Sequence, residues 1–295
     1  MKTANISLSI ILPTLNEIEN LKTLVPELVS VVQRQNLDDY EIIIVDDNSS
    51  DGTENYVRSL QEKDKNIKIL VRKEKKSLPM SIYEGILHST KSYVMWLDAD
   101  GSMDNLSVEK LIKEQINQPE SVIVGSRFVE GGGYKGVEQS GKQGIIQYII
   151  KISNSEDSVL AIYLSKYFNK FISFITDIGV NDITSGFIIG RKEYFIENIY
   201  SKAVYGEYFL YLMKSLKKRE IKIVEVGYYC KPRKYGVSKT STNYFVLLKL
   251  SLPYIKDDIP IGILLIVYGF TKYDIKKNIK KKYAYNIINQ IKDYD

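Results

Sequence analysis

Residues 41–53 read EIIIVDDNSSDGT. Ile42, Ile43, Ile44 and Val45 are β-branched residues that favour a pleated, buried strand. The polar cluster from Asp46 to Asp51 ends that run, and Gly52 with Thr53 can open a helix. The same grammar recurs on both sides. Strand-like runs fall at 7–12, 67–71, 93–97, 121–124, 186–190 and 221–226, and helical patterns at 19–34, 52–63, 78–89, 106–117, 159–175 and 206–218. The chain therefore opens as βαβαβαβαβ, which predicts an α/β fold with a mostly parallel central sheet. In open sheets of this kind ligands sit at the carboxyl ends of the strands.

Composition narrows the chemistry. The chain has 295 residues, 44% hydrophobic and 26% charged, which excludes a disordered or fibrous protein. A single cysteine, Cys230, permits no internal disulfide, and a single histidine, His88, removes His-based triads and His-rich metal sites. Any metal must be held mostly by oxygen. Residues 231–295 carry 13 of the 41 Lys and Arg but only 5 of the 36 Asp and Glu. This basic tail suits a phosphate-bearing partner. No nucleic-acid recognition motif accompanies it, so nucleic acid is not an expected partner. The apolar run at 6–12 is short and lacks a cleavage site, so no secretory signal is expected. The longest strongly apolar run, residues 259–270, is below the ~18 residues that span a bilayer.

Three strand ends carry the candidate chemistry. The first run leads into Pro13-Thr14-Leu15-Asn16-Glu17, the second into the acidic turn already quoted, and the fourth into Asp98-Ala99-Asp100. Residues two apart on an extended segment point the same way, so Asp98 and Asp100 offer two hard oxygen ligands together. Such a pair suits Mg²⁺ or Mn²⁺ sharing its shell with phosphates and water. The segment 130–158 begins with four glycines in seven residues and reads as a functional loop or insertion. Beyond Cys230, two apolar stretches precede a helix in which Ile275, Ile279, Tyr283, Ile287 and Ile291 form a stripe beside lysines. That pattern suits a membrane surface.

Taken in order, PTLNE, VDDNSSDGT and DAD resemble the family 2 glycosyltransferases of GT-A fold, and more closely the dolichyl-phosphate mannose synthases and related polyprenyl-phosphate sugar synthases. Further similar stretches are RKEKKSLPMSIYEG (72–85), VGSRF (124–128) followed by Gly131-Gly132-Gly133, DITSGF (182–187) and RKYGVSK (233–239). The resemblance implies a Rossmann-like, nucleotide-sugar-binding GT-A domain at 1–240, with amphipathic membrane-associating helices at 241–295. It places Pro13, Leu15, Glu17, Val45 and Asp47 at the nucleotide, and Asp98, Ala99, Asp100 and Ser102 at the metal and diphosphate. Arg127, Arg233 and Lys239 match basic positions facing the diphosphate and the lipid phosphate. Asp182 and Glu207 fall where they can reach the acceptor. Leu15 stands where relatives often have an aromatic residue, and Ser102 where they have a longer amide.

The implied activity is transfer of a hexose with inversion, from GDP-mannose first and a UDP-sugar such as UDP-glucose second, onto dolichyl or polyprenyl phosphate. It implies a divalent metal, a peripheral position on the cytoplasmic face of the membrane, and room for a membrane partner subunit. An acceptor phosphate is already ionised near neutral pH, in keeping with the scarcity of histidine. The nearest alternative extends a glycan at a sugar hydroxyl, with Asp182 or Glu207 as base. A silent nucleotide-sugar-binding module is a further alternative, against which the presence of both Asp98 and Asp100 speaks.

Overall fold

The computed structural model describes residues 6–37, 39–134, 137–138, 159–231 and 235. The strands are β1 (Leu8–Thr14), β2 (Tyr40–Asp46), β3 (Ile67–Val71), β4 (Tyr93–Trp96), β5 (Val122–Ser126), β6 (Gly133–Tyr134), β7 (Val137–Glu138), β8 (Ile188–Arg191), β9 (Ile223–Gly227) and β10 (Tyr229–Cys230). The helices are α1 (Ile18–Arg34), α2 (Thr53–Lys63), α3 (Leu78–His88), α4 (Asn105–Asn117), α5 (Val159–Thr176) and α6 (Tyr208–Lys218). Seven strands form one sheet in the order β3-β2-β1-β4-β8-β5-β9. Only β8 is antiparallel to its neighbours, so the sheet is mostly parallel, as the alternation predicts. After β1 the chain winds outward to β2 and β3, then returns to place β4 on the other side of β1. The strand order thus reverses between β1 and β4, where ligand crevices of open α/β sheets form.

Both faces of the sheet are covered, which explains the near-continuous apolar runs in β1 and β2. Leu8, Ile10, Leu12, Ile42, Ile44, Met95 and Leu97 pack with α1 and α4 residues such as Leu21, Leu28, Leu111 and Ile112. The alternate residues Ile11 and Val45 meet α3 at Gly85. A Cβ at Gly85 would lie 2.5 Å from Ile11 Cγ2 and 3.0 Å from a Val45 methyl, so only glycine lets α3 lie this close.

A second, three-stranded sheet, β10-β6-β7, has no counterpart in the sequence reading, because two-residue strands show no periodicity. The glycine-rich stretch that reads as a loop starts here. A side chain at Gly227 would collide with the backbone of 130–132, so this run lets two backbones touch. The expected membrane-associating helices at 241–295 lie outside the described residues.

At the amino end of the sheet, Glu41 is 1% exposed and gathers four donors. Ser9 Oγ donates at 2.6 Å, Lys68 Nζ at 2.5 Å, Thr90 N at 2.6 Å and Thr90 Oγ1 at 3.0 Å. Burial by itself would raise the Glu41 pKa, but Lys68, Ser9 and Thr90 together hold it below the usual glutamate value. A depressed carboxylate pKa stabilises the fold above the unfolded-state value, and that contribution is lost as pH falls through the folded value. Stability of Glu41→Gln should therefore fall less steeply on acidification than that of the parent chain, measured by urea unfolding between neutral and acid pH. Gly85→Val should lower unfolding free energy by about 2–3 kcal/mol through overpacking at Ile11 and Val45, measured by the same method at neutral pH.

Candidate active site

The first two strand ends are stapled together by the acidic turn after β2. Asn16, in the left-handed region at φ 56°, donates its N–H to Ser49 Oγ at 2.7 Å and accepts from the Ser50 N–H at 2.8 Å. Asp51 accepts from the Ile18 N–H at 3.0 Å, satisfying one orphan donor of α1. The same carboxylate accepts from Thr53 N at 3.1 Å and Thr53 Oγ1 at 2.6 Å, so Asp51 supplies the capping oxygen at the start of α2. Asp46 turns to Ser49, accepting from its hydroxyl and its N–H. Burial raises the Asp46 pKa, against the pull of those Ser49 bonds.

Asp47 joins three strand ends. Its N–H donates to the Thr14 carbonyl at 2.9 Å, and its carboxylate accepts from Ser77 N at 2.6 Å and from Arg72 Nη1. Arg72 continues through Nε to Glu84 at 2.8 Å and through Nη1 to Ser81 Oγ at 3.3 Å. The Arg72 and Asp47 side chains are 2% and 7% exposed, which makes this a buried ion pair with its remaining donors satisfied. Sequence reading placed Asp47 at the nucleotide but did not single out Arg72, whose signal was its position directly after β3. Pro13, Leu15 and Glu17 are half-buried at the β1 end, and Glu17 accepts from Asn20 Nδ2 at 2.6 Å. Val45, expected at the nucleotide, has a fully buried side chain packed toward Gly85, so its side chain belongs to the core.

After β4, Leu97 and Ala99 enter the core beneath α1 and α4, while Asp98 is half-buried and Asp100 is 4% exposed. Asp100 Oδ1 accepts from the Ser102 N–H at 2.9 Å. Ser102 is itself buried, and its carbonyl accepts from the Lys231 N–H at 2.8 Å. What these bonds show for Ser102 is backbone bracing of the turn; a metal contact from its side chain remains an expectation of the resemblance. Among the described residues no cluster of three or more acidic, His or Cys side chains could enclose a metal alone. Two carboxylates in one turn suit Mg²⁺ or Mn²⁺, which takes few protein ligands and keeps positions for phosphate and water. Behind the motif, Trp96 Nε1 donates to Tyr208 Oη at 3.1 Å, and the Trp96 ring meets Phe195 edge-on at 4.9 Å. Burial drives the Tyr208 pKa far up, so the phenol stays neutral.

Arg127 and Asp182 face each other after β5 and before β8. Arg127 Nε and Nη2 donate to the two Asp182 oxygens at 2.8 and 2.7 Å, the Arg127 N–H adds a third bond at 2.9 Å, and Nη2 also reaches Thr184 Oγ1 at 2.7 Å. Glu225 fixes this pair from below, accepting from the Asp182 N–H at 3.1 Å and from Asn181 N and Nδ2 at 2.9 and 2.7 Å. Asp182, offered by the sequence as an acceptor-side residue or base, is fully buried and forks with Arg127. Glu207, offered in the same role, is 3% exposed and accepts from Val204 N at 2.5 Å and Tyr205 N at 2.9 Å. Both carboxylates are thus engaged in holding structure. Arg233 and Lys239 lie outside the described residues.

Residues 9–199 match the family described as Glycosyl transferase family 2. Among curated proteins, a dolichol-phosphate mannosyltransferase of Pyrococcus furiosus is 34% identical over 124 residues, 42% of this chain and 34% of the relative. A GalNAc(5)-diNAcBac-PP-undecaprenol beta-1,3-glucosyltransferase of Campylobacter jejuni is 29% identical over 165 residues, 56% of this chain and 51% of the relative. The chain spans about a third to a half of the length of the curated relatives it matches. The fold is shared with glucosyl-3-phosphoglycerate synthase from Mycobacterium tuberculosis, solved with Mn²⁺ and UDP-glucose, at a TM-score of 0.55 and 13% identity over 85% of this chain and 80% of that one.

Removing one partner of a buried pair strands the other charge. Arg72→Met should cost about 3 kcal/mol of unfolding free energy, and Asp47→Asn introduced with it should recover part of that loss, as measured by a double-mutant cycle in urea.

Proposed function

Because the chain belongs to glycosyl transferase family 2, we propose that it moves a hexosyl group from a nucleotide diphosphate sugar to a polyprenyl phosphate, with inversion at the anomeric carbon. The observation that carries this reading is the engagement of Asp182 and Glu207. The two carboxylates that the resemblance offers as bases already accept from Arg127 and from backbone N–H groups. A sugar hydroxyl needs a base within reach of its proton. A phosphate monoester with a second pKa of about 6 arrives ionised, and asks instead for cations and alignment.

In this reading an acceptor phosphate oxygen forms a bond to the anomeric carbon as the bond from that carbon to the donor diphosphate breaks. The electron pair leaves with the diphosphate. Asp98 and Asp100 would hold a divalent ion, which would neutralise the charge developing on that leaving group. Pro13, Leu15, Glu17 and Asp47, with Ala99 through its backbone, hold the nucleotide, and the Arg72 pair keeps Asp47 fixed. Arg127, pre-oriented by Asp182 and Glu225, is assigned to the acceptor phosphate, and the resemblance assigns Arg233 and Lys239 to the same group. GDP-mannose is the favoured donor, in line with the mannosyltransferase relatives. A UDP-sugar is the second choice, in line with the glucosyltransferase relative.

The catalytic unit is assigned to 1–240, and 241–295 to peripheral attachment at the cytoplasmic face, with or without a membrane partner subunit. Among the described residues no helix is long and apolar enough to cross a membrane. A basic segment near anionic headgroups contributes about 1 kcal/mol per Lys.

Incubation with labelled nucleotide sugars, Mg²⁺ or Mn²⁺ and polyprenyl phosphate should give metal-dependent label in the organic phase. Nucleotide-sugar binding with no extractable label would overturn the acceptor assignment. Asp100→Ala should abolish metal-dependent turnover with the fold intact by circular dichroism. Asp182→Asn should lower turnover roughly tenfold, the scale of a lost charge-assisted bond, without changing the shape of the pH–rate profile, since it orients Arg127 and moves no proton.

A further inference from the structure

β4 ends at Trp96, and side chains of an extended segment alternate between the two faces of the sheet. Leu97 and Ala99 enter the core shared with α1 and α4. Trp96 lies outside that cluster and packs against Phe195 and Tyr208 on the opposite face. Trp96 and Asp98, two residues apart, therefore leave the strand on the same side. Tyr208, at the start of α6, is the group they share. Trp96 Nε1 donates to its hydroxyl at 3.1 Å, with the two side chains 1% and 3% exposed. Burial is the larger cause of the raised Tyr208 pKa, and the Asp98 carboxylate raises it further, which marks Asp98 as a charged neighbour of the phenol.

An indole N–H can only donate, so the phenol keeps its own O–H to give. The ring that carries it is fixed in turn. Tyr208 stacks on Tyr200 with ring centroids 5.9 Å apart, and Tyr200 stacks on Tyr83 of α3 at 5.0 Å. This aromatic column ties α3 and α6 to the strand end that bears the aspartates. Phenylalanine would fill the column equally well, and a buried hydroxyl is costly unless its hydrogen bonds are made. Packing alone therefore does not account for a tyrosine at 208.

We propose that Tyr208 is a positioning residue for the metal site: its hydroxyl, held between the Trp96 indole and the Asp98 carboxylate, sets the Asp98 side chain before a divalent ion arrives. The assignment rests on the reading of Asp98 and Asp100 as metal ligands. Tyr208 acts through Asp98 and takes no part in proton transfer. Groups that orient a metal-binding carboxylate change metal affinity by about 10–100-fold when removed, so the effect belongs in metal binding rather than in nucleotide binding.

The chain has one tryptophan, so its fluorescence reports Trp96 alone, two residues before Asp98. The test is a titration of the full chain with Mn²⁺, a paramagnetic quencher, in the presence of saturating UDP and, separately, GDP. Tyr208→Phe should shift the Trp96 emission and require about tenfold more Mn²⁺ for half-quenching, the low end of the range for such partners. Tyr200→Phe, which removes a hydroxyl from the same column away from Trp96, should leave the Mn²⁺ titration as in the parent chain. Parental Mn²⁺ affinity in Tyr208→Phe, or equal loosening in Tyr200→Phe, would overturn the proposal. Should Tyr208→Phe lose the native circular-dichroism spectrum, Trp96→Phe removes the other partner of the bond. Free Mn²⁺ followed by electron paramagnetic resonance should then show the same loosening, and parental affinity there would overturn the proposal. A parent chain that binds no Mn²⁺ with either nucleotide would overturn it together with the metal assignment, whereas loosening in Tyr208→Phe stands whichever acceptor the enzyme uses.

Discussion

The fixed point of this molecule is the Asp47 carboxylate at the carboxyl edge of the sheet. It is held by a neighbouring backbone N–H and by the Arg72 guanidinium, while its own N–H reaches back to the end of β1. One residue, through its carboxylate and its backbone N–H, thereby ties together the chain at the ends of β1, β2 and β3. A buried charge is tolerable only when its partners are complete, so the same condition that keeps the fold intact keeps these loops in one arrangement. Asp46 and Asp51 extend the arrangement by satisfying backbone and hydroxyl donors that the first two strand ends would otherwise leave open.

A second hydrogen-bonded group forms around β4, β5, β8 and β9. Glu225 fixes the backbone at Asn181 and Asp182, Asp182 forks Arg127, and Tyr208 holds the Trp96 indole behind the Asp98–Asp100 turn. That group includes the Asp98 and Asp100 carboxylates, which suit a divalent ion, and the Arg127 guanidinium, which is bonded to Asp182 and Thr184. Electrostatic stabilisation of a departing diphosphate needs such groups to be placed before the reaction starts. In the proposed reaction the buried contacts of Asp47, Arg127 and Trp96 would provide that placement.

Much of this was legible in the sequence. The βα alternation and the β-branched runs gave the parallel sheet, and PTLNE, VDDNSSDGT and DAD fell at strand ends because a polar cluster after an apolar run marks where a strand stops. What escaped reading depended on distance in space. Arg72 carries no pattern of its own, and its partner lies in the loop after the preceding strand. Asp182 and Glu207 looked like free carboxylates because a sequence does not show which donors surround them. β6, β7 and β10 are too short for periodicity. Val45 looked like a ligand contact by position in a motif, whereas strand alternation sends its side chain to α3.

The central claim is that the acceptor oxygen arrives already ionised, so that no side chain need remove its proton. The most direct measurement is the pH dependence of kcat/KM for a polyprenyl phosphate, beside the same measurement with the corresponding polyprenol. The account predicts activity with the phosphate alone, rising through a single ionisation near the second pKa of the phosphate, about 6, and unchanged in shape when Asp182 or Glu207 is neutralised. Turnover of a hydroxyl acceptor, or a profile whose ascending limb disappears in either variant, would contradict it.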